Sequence, residues 1–71
     1  MREYLVVFEW IGSNYSAYVP DLPGCITTGK TLEETEVNIK EAIALYLDTL
    51  KADGTPIPEP TTKGRPVSVA A

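Results

Sequence analysis

The chain has no histidine and a single cysteine, Cys25, in 71 residues. One cysteine excludes an internal disulfide, and without histidine it cannot complete a structural zinc site. No cofactor is expected. The lack of histidine also removes the side chain most often used as a general base near neutral pH. Basic residues are scarce: six Lys and Arg stand against ten Asp and Glu, for a net charge of −4. Nucleic-acid binders normally carry a basic stripe, so direct binding to DNA or RNA is not expected. A modest acidic charge keeps a small domain soluble and favours a basic partner through complementary potentials. Long apolar runs are also missing. The longest, Tyr4 to Phe8, falls far short of the ~20 residues that span a bilayer, and no membrane association is expected. Met1-Arg2-Glu3 lacks the layout of a signal peptide. A free thiol then fits a reducing, cytoplasmic setting.

A chain this short makes one domain and buries only roughly 60% of its unfolded surface. With disulfides and metals excluded, oligomerisation is the remaining way to enlarge a thin core, so a homo-oligomer is expected.

What is present begins with a run rich in β-branched and aromatic residues, Tyr4 to Trp10, which reads as a strand. It is apolar on both faces, as central strands are. Gly12-Ser13-Asn14 is a turn and Tyr15 to Val19 a second strand. The intervening loop, Ile11 to Asn14, pairs Trp10 with Tyr15, Phe8 with Ala17 and Val6 with Val19, all on one face. The other face carries Leu5, Val7, Glu9, Ser16 and Tyr18. A helix covers only one face, so the aliphatics and tyrosine left over form a candidate contact surface.

The stretch Tyr18-Val-Pro-Asp-Leu-Pro-Gly-Cys25 holds two prolines at a strand end, where they block ladder bonds and stiffen the chain. It defines a corner of the fold or a docking surface. Asp21 within it takes turn hydrogen bonds or pairs with a basic partner residue. Cys25 to Thr28 reads as a third, edge-like strand.

Thr31 opens a helix, with Glu34 placed to complete a capping box. Glu33, Glu34 and Glu36 lie where the helix dipole favours negative charge. Leu32, Ile39, Ala42, Ile43, Tyr46, Leu47 and Leu50 recur at helical spacing and form a core stripe. Lys51 and Gly54 mark the stop, for a helix of about 20 residues. The prolines of Thr55 to Pro60 favour an extended connector. Arg65 to Ala70 alternates like a last strand. The element order is β-β-β-α-β, and a right-handed crossover sets the last strand beside the first. The expected fold is a two-layer α+β sandwich with sheet order 3-2-1-4 and one helix on one face.

The segments Tyr4–Glu9, Tyr15–Cys25, Gly29–Glu34, Asn38–Ile43 and Asp53–Pro60 resemble the HicB antitoxin family, in order and at its spacing. Pro-Asp-Leu-Pro-Gly-Cys and Ile-Pro-Glu-Pro together are specific. The resemblance implies a partial ribonuclease-H-like fold and a partner, HicA, a small basic toxin that cleaves messenger RNA and that HicB binds and blocks. Many HicB proteins add a C-terminal DNA-binding module. No basic helix follows the last strand here, so the expectation is a single HicB-like domain over residues 1–71 without that module.

A ribonuclease-H-like fold invites a search for metal-binding carboxylates. Glu9 and Asp21 are the acids nearest the central strands, but they fall at opposite ends of neighbouring strands. Two-metal catalysis needs its acids around ions about 4 Å apart. The chain is therefore expected not to be an enzyme. Cys25 is expected to pack as a small apolar side chain. The expected partner-binding residues are Asp21, Leu5, Val7 and Tyr18. The competing readings are an interaction or regulatory domain without a toxin, and a minimal metal-dependent nuclease.

Overall fold

A computed structural model describes residues 2–71. Three strands, β1 (Val7–Trp10), β2 (Tyr15–Tyr18) and β3 (Ile26–Gly29), are followed by one long helix, α1 (Leu32–Asp53). The strands form an antiparallel sheet in the order β1-β2-β3, and α1 lies over β3 and β2. The result is a two-layer α+β arrangement.

The hairpin has the expected register, with Trp10 opposite Tyr15 and Phe8 opposite Ala17. Ile11 N–H donates to the Asn14 carbonyl at 2.9 Å and closes the loop. The Trp10 and Tyr15 rings meet edge to face with centroids 5.1 Å apart, a geometry favoured by the ring quadrupoles. The ladder begins at Val7 rather than Tyr4, although Tyr4 and Val6 still pack against the core.

Helix α1 starts where its capping chemistry sets it. Thr31 Oγ1 accepts from Glu34 N–H at 3.0 Å. The Glu34 carboxylate reaches back to Lys30 N–H at 3.1 Å, one residue before the cap. At the far end Thr55 N–H donates to the Leu50 carbonyl and Gly54 N–H to that of Lys51, the paired bonds of a Schellman closure.

The core is small: Ala17, Val19, Leu22, Cys25 and Ile39 are buried, with Phe8, Ala42, Ile43, Tyr46 and Leu47 packed around them. Leu32, expected on the core stripe, is exposed because it precedes the point where the helix meets the sheet. That meeting point is Gly29. A methyl group there would overlap Thr35 Oγ1 and sit 2.9 Å from Thr35 N. The missing side chain lets the first turn of α1 lie directly on β3.

The fourth strand expected over Arg65–Ala70 is not formed. Residues 55–71 have no regular secondary structure, and 65–71 are exposed throughout. Alternation of Val67 and Val69 satisfies a strand's side-chain period, but a strand also needs its backbone paired with an edge, and here the segment is paired with none. The connector is anchored instead near the start of β1: the Tyr4 hydroxyl donates to the Pro58 carbonyl at 2.5 Å.

Candidate functional site

The rigid loop after β2 is two consecutive turns. Leu22 N–H donates to the Val19 carbonyl and Cys25 N–H to that of Leu22, each at 3.0 Å. Pro20 and Pro23 each occupy the second position of a turn, where their fixed φ is pre-set. Gly24, at φ 82°, supplies the positive φ that the third position of a type II turn requires. Val19 N–H closes the loop onto the Cys25 carbonyl at 3.1 Å. Leu22, at the shared corner, is driven fully into the core. The Tyr46 hydroxyl donates to the Pro23 carbonyl at 2.9 Å and ties α1 to the loop.

This geometry leaves the Asp21 carboxylate facing the connector. It accepts the backbone N–H groups of Thr61 and Thr62, each at 3.0 Å, and both threonine hydroxyls, at 3.2 and 2.7 Å. Its pKa is held below the ordinary 3.8, chiefly by the backbone and hydroxyl bonds from Thr62, with Thr61 adding to them. Bonds made to the charged form favour that form. Asp21 is thus a clamp between loop and connector.

Residues opposed in a ladder share a face. The register therefore sets Val7, Tyr18 and Ile26 in one row, with Glu9, Ser16 and Thr28 in the next. Ala17 is buried on the other face, where Gly29 meets α1, so the first row looks away from the helix. Tyr18 is 40% exposed and Ile26 61%. Leu5 shares the parity of Val7 and lies against Gly64, near enough that a methyl group there would be 3.2 Å from its Cδ2. Three of the expected partner-binding residues, Leu5, Val7 and Tyr18, thus extend along one side of the sheet, and Asp21 stands apart on the loop. Ile26 was missed. Its signal was available: with Cys25 turned inward, the next residue of an edge strand turns out.

Chemistry is sparse. Glu9 pairs with Ser16 in the ladder, whereas Asp21 lies in the loop beyond the other end of β2, so the two acids are not brought together. Among the described residues no group of three or more His, Cys, Asp or Glu is placed to hold a metal ion. Cys25 is buried, and desolvation raises its pKa, which disfavours the nucleophilic thiolate. No helix among the described residues is long and apolar enough to cross a membrane.

Residues 4–67 match the family described as the HicB-like antitoxin of bacterial toxin-antitoxin systems. The UPF0150 protein Ta0767 of Thermoplasma acidophilum is 52% identical over 58 residues, covering 82% of this chain and 84% of that one. Antitoxin HicB 2 of Photorhabdus laumondii is 34% identical over 73 residues, covering 96% of this chain but only 52% of its own length. Among solved structures, a chain of the HicA3 and HicB3 toxin-antitoxin complex superposes with a TM-score of 0.71 at 28% identity, over 84% of this chain and 70% of that one.

Proposed function

Because the chain belongs to the HicB-like antitoxin family, we propose that it is a cytoplasmic protein-binding domain that blocks a small, basic HicA-like ribonuclease. It acts by occlusion, as a homo-oligomer, with no catalysis of its own and no direct contact to nucleic acid. Residues 1–71 work as one HicB-like domain. The sheet of the working form is completed by a fourth strand beside β1, in the order 3-2-1-4 of a partial ribonuclease-H-like fold.

The observation that carries this reading is the apolar row Val7, Tyr18 and Ile26 on the sheet face that α1 leaves bare, with Tyr18 and Ile26 exposed and Val7 half-buried. Its setting is an acidic chain. Interface cores are apolar and rich in aromatic residues, while complementary charge steers the encounter. Leu5 extends the row. Asp21 contributes by holding the connector that rests on Leu5, since its lone pairs already have four donors. The resemblance to a chain from a toxin-antitoxin complex supports the class of partner.

Co-expression with a small basic protein encoded beside this chain tests the reading. The two should co-purify, and growth arrest by the basic protein should be relieved. Tyr18→Ala should weaken the complex about 30-fold, as truncation of a central aromatic costs ~2 kcal/mol or more. Failure to co-purify with persisting toxicity would overturn the antitoxin role. An unchanged affinity for Tyr18→Ala and Ile26→Glu would move the contact surface elsewhere.

A further inference from the structure

Among the described residues, two features lack partners. The first is the outer edge of β1. Helix α1 lies over β3 and β2, and the side-chain amide of its Asn38 donates to the Thr28 carbonyl at 2.9 Å, occupying a backbone acceptor of β3. Beside β1 the helix leaves an open groove of about 590 Å³, lined by Tyr4, Val6, Phe8, Ile39 and Ile43. An open edge above an apolar groove is a template for another strand.

The second feature is the segment Arg65–Ala70. Val67 and Val69 are 76% and 78% exposed and share one strand face. Pro66, which cannot donate to a ladder, stands at the start of the run, where a strand tolerates it. The segment projects: the longest dimension is 48 Å and the radius of gyration 13.8 Å, against about 11 Å for a compact chain of this length. Its root is fixed by the Asp21 bonds to Thr61 and Thr62 and by Gly64 against Leu5. The connector before it carries Pro56, Pro58 and Pro60, which keep it extended, and beyond its anchor at Leu5 residues 65–71 stay exposed rather than paired with their own β1.

The geometry points to a reciprocal exchange in which Arg65–Ala70 of one copy adds to the β1 edge of a second copy, with Val67 and Val69 seated in the partner's groove. This rests on the homo-oligomeric reading above and names its interface. The groove's apolar side chains suit the valines, charged Arg2, Glu3, Glu36 and Lys40 also line it, and an added strand supplies the backbone donors and acceptors that the β1 edge lacks. The same two surfaces are used twice about a two-fold axis, so the contact closes as a dimer, and exchange of one element is a low-cost route to it.

Light scattering of the full chain, with and without Val67→Asp/Val69→Asp, combines with isotope-filtered NMR on a mixture of labelled and unlabelled chains. Both valines are exposed in the single chain, so the double variant leaves its core intact, which circular dichroism checks. The wild type should exceed the 7.7 kDa monomer mass, and the variant should dissociate about a hundredfold more readily. The valine methyls should show contacts to Phe8 and Ile43 of the differently labelled chain. A wild-type monomer at micromolar concentration would overturn the homo-oligomer and the exchange together. An oligomer that the double variant leaves intact, or valine contacts confined to one label, would overturn the exchange alone. In the latter case the strand adds to its own β1. Release of the valines only when a basic toxin binds would keep the exchange and make the groove a competed site.

Discussion

Asp21 shows how a single side chain can decide the course of a chain forty residues further on. Its carboxylate gathers two successive backbone amides and two hydroxyls, and these interactions favour the ionised form. Its pKa is lowered in the folded state. A group of this kind adds stability that is present above its unfolded pKa and lost as pH falls through the folded one. The clamp should therefore hold at neutral pH and open only below the ordinary carboxylate value of 3.8. Hydrogen exchange should show the Thr61 and Thr62 amides losing protection in that acid range. Asp21→Ala should abolish their protection at neutral pH while Leu22 and Ile39 amides stay protected. Unchanged exchange at Thr61 and Thr62 would remove the clamp. Gly29 makes the complementary point, since there the absence of a side chain is what the packing needs. Gly29→Ala should cost ~1–3 kcal/mol, the usual range for overpacking, measured by urea unfolding.

Among the elements, α1 was the most legible in the sequence. Thr31, Glu34, Lys51 and Gly54 mark both ends, and the structure uses all but Lys51's side chain in closing hydrogen bonds. Thr31→Ala should lower stability by ~1 kcal/mol through loss of the cap, read as a shifted urea midpoint at constant slope. An unchanged midpoint would mean that packing on Gly29 alone holds the first turn. The hairpin was legible for a different reason: a four-residue loop between two apolar runs permits one register that pairs Trp10 with Tyr15. The last segment was read as a strand on side-chain alternation alone. Alternation records which side a residue faces and says nothing about where the backbone finds its partner. For β1, β2 and β3 the partner is adjacent in the chain. For residues 65–70 it is not, and the single chain leaves them exposed.

Among the described residues only five apolar ones are buried at the centre of the whole molecule, and a groove is left open beside them. Burying further apolar surface against another copy would stabilise the fold by mass action. Its melting temperature should rise with protein concentration, and a constant value over a hundredfold range would count against homo-oligomerisation. At this scale the bare face of the sheet matters most. Leu5, Val7 and Tyr18 were readable as a surplus from hairpin parity. Ile26 joined them only once the register of β3 was known.

Local chemistry in the sequence determined the helix and its caps, the hairpin register, the double turn around Leu22, the acidic charge and the resemblance to an antitoxin family. Each depends on residues near one another in the chain, or on composition, and so can be read along one line. Tertiary structure alone decided that Asp21 grips Thr61 and Thr62, that Gly29 lies under Thr35, and that the helix shelters β3 while leaving β1 open. The Asp21 contact joins distant segments and depends on where a stiff connector leads the chain after the helix ends, while the other two depend on how α1 turns back over the sheet, which side-chain pattern along the chain does not record.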